Sequence, residues 1–397
     1  MEALFMVNDN IMGMERSVMF DFIFKNGHVI DSFLGIDKVT DIAVTGDTIA
    51  EIGDLKSAEA RQIVDASGCY VTPGLIDYHA HINYGSTDNS FRAELGCFPN
   101  GVTTVVDGGT CGVGGFENFY NTIVSNSQLT IKSYLNIGSI GQTSHLCPEE
   151  LDPECFETEK ILHYCKKYRD NIVGIKLRLG APMVKGHGIE ALKATIKVAR
   201  AADLRLTVHM IDCPIPVKEV LNLLSPGYIY CHVFHDTGAG TILDENGKLL
   251  QEVMEAQKRG ILFDVSHGRG GASLRIAKAA LDQGFKPDII TADLSRFSLY
   301  RKPAYSLNYI MSEFLHLGFS FRDLIQIYTD LPSRLIYGSS EGFLKVGAAA
   351  DIAVFRVIEK PVQFVDYLGE TLAGNQMIKC EMTLKNGEPV FRQSDFI

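Results

Sequence analysis

The chain has 397 residues, 46% hydrophobic and 21% charged. That balance excludes a disordered protein and leaves room for a large domain with a smaller companion. The formal net charge is −11 with no basic run, which argues against nucleic acid or an anionic membrane as partner, and no apolar run reaches transmembrane length.

Nine cysteines lie at irregular spacing, with no C-x-x-C pair and no cationic, apolar leader ahead of them. The pattern predicts free thiols in a reducing, cytoplasmic setting. Residues 1–18 hold several methionines and few structural cues and are expected to be an extension without assigned function. From Phe20 to about Val71 the texture is β, with hairpin signals at Asn26-Gly27 and around Gly46-Asp47. After Pro73-Gly74, short apolar strands alternate with amphipathic stretches such as 188–203 and 247–260. The strands are expected at 75–82, 103–109, 131–140, 173–179, 205–210, 228–236, 261–268 and 289–294. Eight βα units of this length predict a TIM (β/α)8 barrel, an α/β fold. From about Ser340 the texture is β again, and Lys385-Asn386-Gly387 echoes Lys25-Asn26-Gly27. The expected layout is a composite β-sandwich domain from 19–72 and 340–397 beside a barrel over 73–339.

His79 and His81 stand at i and i+2 in "YVTPGLIDYHAHI", so on a strand they share a face and suit one metal ion. Two unrelated surface histidines would give the same tripeptide. Other polar residues sit late in the core strands, where a barrel places its active site: Lys176, His209, His232 and Asp293. Four histidines and an aspartate at matching strand ends point to a metal site.

"GLIDYHAHI", the lysine of "VGIKLRL", "TVHM", "CHVF" and "TADL" resemble the amidohydrolase superfamily, in order and across the chain. The flanks "FKNGHVID" and "LKVGAAADIAVF" look like its split β-sandwich. "GVTTVVDGG", "LNIGSIG" and "DVSHG" resemble its dihydroorotase-like group, which includes acetyl-mandelate-type deacetylases. That resemblance implies two divalent ions, usually zinc. His79, His81 and Asp293 would hold one and His209 and His232 the other, with Lys176 bridging as an N-carboxylated lysine. An unmodified Lys176 paired with a carboxylate is the plainer alternative. A hydroxide between the ions would attack a carbonyl, with Asp293 as general base and then acid.

The expected function is hydrolysis of an amide or ester of a small carboxylic acid, deacetylase-like. Alternatives are a cyclic amidohydrolase, a nucleobase-type deaminase, or a scaffold relative that has lost its metals. The expected partner is a small anionic substrate, and a homo-oligomer is left open. Arg178, two residues beyond Lys176, is a candidate for the substrate carboxylate or for a rim ion pair. His267 and Asn136 are further candidates for substrate contact, and Tyr84, Arg296 and Tyr305 are guesses from loop position. Cys231 is expected to face away from His232. The run after strand eight reads "TADLS" where relatives often read "STDLH", which puts the leaving-group side of the pocket in question.

Overall fold

The computed structural model describes residues 19–144, 146–338 and 343–396. The expected extension at 1–18 lies outside them. Seven strands come first: β1 (Phe20–Lys25), β2 (His28–Asp31), β3 (Ile36–Val39), β4 (Asp41–Thr45), β5 (Thr48–Gly53), β6 (Ala60–Asp65) and β7 (Tyr70–Pro73). Seven more form the barrel: β8 (Leu75–Ala80), β9 (Val102–Asp107), β10 (Thr130–Asn136), β11 (Ile172–Arg178), β12 (Arg205–His209), β13 (Ile229–Cys231) and β14 (Leu262–Asp264). Then come β15 (Ile352–Val365), β16 (Thr371–Lys385) and β17 (Glu388–Arg392).

The outer strands make two sheets, β5-β4-β1-β6 and β17-β16-β15-β7-β2-β3. The second sheet interleaves the two chain ends, with β7 antiparallel to β15 and parallel to β2. One core lies between the sheets and draws on both ends: Phe24, Ile42 and Val64 pack with Leu344, Val354 and Leu384. Fully burying one such side chain stabilises by about 1.5–3 kcal/mol. This is the expected sandwich from both termini.

One hairpin expectation fails. Asn26-Gly27 does not pair β1 with β2, because the two strands belong to different sheets. Both edges of β1 are already taken, by β4 and by β6. Asn26 keeps the left-handed conformation its type favours, at φ 62°, but the turn carries the chain across to the other sheet. The hairpins at Gly46-Asp47 and Asn386-Gly387 do form.

β8 to β14 lie side by side in chain order, all parallel. The eighth expected strand is not a ladder strand, yet it joins the two edges: Ile289 bridges Asp264 and Leu294 bridges Ala80. Backbone bonds from Val265 N to Ile289 O (3.0 Å) and from Asp293 N to His79 O (2.8 Å) close the ring. β13 and β14 are three residues each, far shorter than the apolar runs suggest. The runs continue because Val233, Phe234 and Val265 are buried beyond the strands. The ladder stops because His232, Ser266 and Asp293 take φ of 62°, 42° and 44°. Non-glycine residues pay strain for this conformation, and such residues concentrate at functional sites.

The helices expected at 188–203 and 247–260 form over Gly188–Ala201 and Gln251–Lys258. The first buries Leu192, Ile196 and Ala199, a stripe at helical spacing against the strands. The long β15–β16 hairpin reaches over the barrel: Asp366 Oδ2 accepts from Leu274 N (2.9 Å) and Tyr367 Oη accepts from Asp236 N (3.1 Å).

Candidate metal centre

A cavity of about 590 Å3 opens where the barrel strands end. Lys176 lies within β11, His209 ends β12, and His79 lies in β8 with His81 just past its end. His232 follows β13, and Asp293 lies in the closing segment. All six line this cavity. The pairing of β8 with β9 slips between Asp77 and Ala80. The slip lets Tyr78 join the cluster inside the ring while its neighbour His79 still reaches the cavity. The left-handed turn at His232 does the same for Cys231. Cys231 packs in that interior cluster, within reach of His79 and Asp264. Strand alternation stops one residue earlier than the sequence suggests.

His81 Nε2 is 3.0 Å and His79 Nε2 3.6 Å from Asp293 Oδ1. That oxygen is buried and makes no hydrogen bond among the described residues. The far nitrogens of the rings are engaged. His79 Nδ1 is 3.1 Å from Ser266 Oγ, and His81 Nδ1 is 2.9 Å from Thr110 Oγ1. Both hydroxyls spend their own hydrogen on a carboxylate, Ser266 on Asp264 (2.5 Å) and Thr110 on Asp107 (2.7 Å). Each can therefore only accept from its imidazole. His232 Nδ1 donates to the Ser266 carbonyl at 2.7 Å. These partners fix the Nδ1–H tautomer in all three rings, which leaves three Nε2 lone pairs for the cavity.

Burial, helped by the Lys176 ammonium, lowers the His79 pKa. Burial holds His209 and His232 well below the usual range. Burial alone would raise Asp293, but His79, His81 and His232 outweigh it and hold its carboxyl well below ordinary values. Neutral imidazoles and an ionised carboxylate are the forms in which these groups take a metal. His209 and His232 stack edge to face with ring centroids 4.4 Å apart. Among the described residues two groupings could hold an ion: His79, His81 and Asp293, and His79, Cys231 and Asp264.

Lys176 is 1% exposed, and its Nζ lies 3.4 Å from His79 Nε2. Among the described residues it forms no ion pair, so the carboxylate partner of the plainer reading is missing. An ammonium has no lone pair for a metal. Behind Asp293 the wall is a glycine: a Cβ on Gly268 would fall 2.3 Å from Asp293 Oδ2.

The model of the Amidohydrolase family matches residues 70–388. This chain belongs to that family. It is 31% identical over 357 residues to a deacetylase of Brucella anthropi, covering 89% of this chain and 88% of that one. It is 32% identical over 334 residues to a deacetylase of Agrobacterium fabrum, covering 83% and 82%. Among solved structures it resembles one titled a dihydroorotase, with TM-score 0.84, 29% identity and 93% and 98% coverage. Another, titled an adenine deaminase, has TM-score 0.86 at 24% identity over 94% and 100% of the chains, a likeness of fold.

In this amidohydrolase the expected substrate contacts separate. Arg178 lines the cavity, but its Nη1 pairs with Glu149 Oε2 at 3.2 Å, and Glu149 is fully buried. Asn136 spends its amide on the loop: Nδ2 donates to Gly109 O (3.0 Å) and Oδ1 accepts from Gly138 N (2.9 Å). His267 faces Glu313, 3.2 Å from Nε2 to Oε1, and neither residue lines the cavity. Tyr84, Arg296 and Tyr305 also lie outside the lining, all three exposed. Sequence reasoning missed Asp107, Thr110, Asp264 and Ser266, which orient the imidazoles. Asp107 and Asp264 carry the same signal that exposed the histidines, a polar residue at the end of an apolar strand. Arg269 and Phe297, both in the cavity wall, were also missed, and loop residues of this kind leave no periodic trace.

Proposed function

We propose that this amidohydrolase removes an acyl group, acetyl first among candidates, from an amide or ester of a small carboxylic acid. One observation carries the reading: three Nε2 lone pairs, fixed by their Nδ1 partners, and an Asp293 Oδ1 without a hydrogen bond among the described residues converge on one cavity. His79, His81 and Asp293 would hold one divalent ion and His209 and His232 a second, zinc being the expected metal. Lys176 would join them as an N-carboxylated side chain, which turns a buried cation without an acidic partner among the described residues into an anion with two ligand oxygens. Divalent ions bound there supply Lewis acidity, which lowers the pKa of water and polarises a carbonyl. The chain's own part is positional and acid–base. Asp107 and Thr110 aim His81, and Asp264 and Ser266 aim His79. Asp293 takes the proton from the attacking water and returns it to the leaving nitrogen or oxygen. The two deacetylase relatives support the acyl substrate. The dihydroorotase-titled structure, at 29% identity, supports ring opening of a cyclic amide as the second reading.

The test begins with metal analysis of purified protein, with about two divalent ions per chain expected and fewer in Lys176→Ala. A protein that binds no metal is the scaffold alternative. Acetate release from a panel of N-acetyl and O-acetyl acids supports deacylation; ring opening without acetate, or ammonia release, supports the alternatives. Asp293→Asn should lower kcat roughly a hundredfold or more for any of these reactions. Metal content is measured alongside, so that a lost ligand is not mistaken for a lost base.

A further inference from the structure

Among the described residues, three basic side chains other than histidine line the cavity: Lys176, Arg178 and Arg269. Lys176 lies against His79, and Arg178 is neutralised by buried Glu149. Arg269 forms no ion pair among the described residues. It stands in the loop between β14 and the helix Leu274–Asp282, with Gly268 before it and Gly270 and Gly271 after it. Its guanidinium carbon lies 5.0 Å from the ring centroid of Phe297, another wall residue, and that of Arg296 lies 5.5 Å from the same ring. A guanidinium over a ring face is attracted by the ring's quadrupole, and its N–H donors can still bond a planar anion. Asp88, Asp212 and Asp293 also line the cavity, so the wall is not generally basic. Apart from the histidines, its charged side chains divide evenly between the two signs.

We propose that Arg269, seated on Phe297, binds the substrate's carboxylate, and that Arg178 does not. The substrate class is then an acylated small acid lying with its anion toward the loop after β14 and its acyl group toward the histidines. The acyl half rests on the deacylation reading; the carboxylate half does not. Arg269 is exposed, so replacing it should leave the fold intact.

The first measurement is calorimetric titration of metal-loaded protein with a free 2-hydroxy acid, lactate, and with its uncharged amide. Wild type should prefer the acid. Arg269→Met should weaken acid binding roughly tenfold to a hundredfold, the size of a lost charge-assisted hydrogen bond, and Arg269→Lys should recover part of it. Equal affinity in wild type and Arg269→Met, or no preference for the acid in wild type, overturns the proposal whether or not the protein deacylates. The second measurement compares acetate release from O-acetyl lactate and O-acetyl lactamide. Arg269→Met should lower the charged-to-neutral ratio of kcat/KM through KM, and an unchanged ratio overturns the proposal. Absence of acetate release from either compound, with acid binding and its loss in Arg269→Met intact, counts against the deacylation reading alone.

Discussion

His267 and Glu313 are both buried, 1% and 3% exposed, and face each other at 3.2 Å. Burial alone would lower the histidine's pKa, but the Glu313 carboxylate outweighs it and raises it above 6.5. His267 Nδ1 lies 3.1 Å from the Gly268 carbonyl, so both ring nitrogens face acceptors, as an imidazolium requires. A histidine whose folded pKa is raised adds stability that is full below its unfolded value and fades as pH rises through the folded one. Thermal unfolding of wild type and Glu313→Gln should therefore differ most below pH 6.5, by about 1–3 kcal/mol, and the gap should narrow as pH rises. A gap that widens with pH would assign His267 the opposite charge state. The sequence showed this histidine in "DVSHG" but not its partner. Glu313 lies 46 residues away in a helix, and pairings of that kind leave no local pattern.

The strand ends show why the ligand-type residues were legible and their surroundings were not. His79, His209, His232 and Asp293 stood out as polar groups closing apolar runs, and the fold brings them together. The same runs overstated β13 and β14, because burial continues past the last ladder bond while the backbone has already turned. Composition reports burial, and left-handed turns at residues such as Ser266 carry no compositional mark. Arg178 was legible as a charge on the right face, but Glu149 was not foreseeable as its partner. In the loop after β14, Gly268 has φ +49° and its absent Cβ faces Asp293. Gly268→Ala should cost about 1–2 kcal/mol in backbone strain. Because the new methyl must also displace the Asp293 carboxylate, metal content and kcat should fall as well. Measuring all three separates the effects: a drop in melting temperature with metal and kcat unchanged would mean that Asp293 has room to spare.

On the scale of the whole molecule, β7 links the two parts of the fold. It sits between β15 and β2, and one glycine later the chain enters β8 and its histidine. Ala353 and Phe355 of β15 pack into the barrel's outer core, while Ile352 and Val354 pack into the sandwich. The two parts should therefore unfold together. Leu384→Ala, deep in the sandwich, should cost about 2–5 kcal/mol and lower a single transition. An early separate transition in calorimetry, with the barrel melting unchanged, would show instead that the sandwich folds on its own. The pairing of chain ends was legible from β texture at both termini, but the β1–β2 crossing was not, because a turn dipeptide specifies a backbone angle and not a partner.

The β15–β16 hairpin adds a consequence in time. Ribosomes work from the N-terminus, so every barrel strand and the helix Phe321–Tyr337 are synthesised before Asp366 and Tyr367 exist. For roughly two to six seconds at ordinary elongation rates the nascent barrel carries its histidines, while Leu274 and Asp236 still lack the acceptors that will fix the loops beside the cavity. During that interval β7 has β2 on one side and an open edge on the other. The strands that carry the histidines are thus made before the residues that bond the loops after β13 and β14.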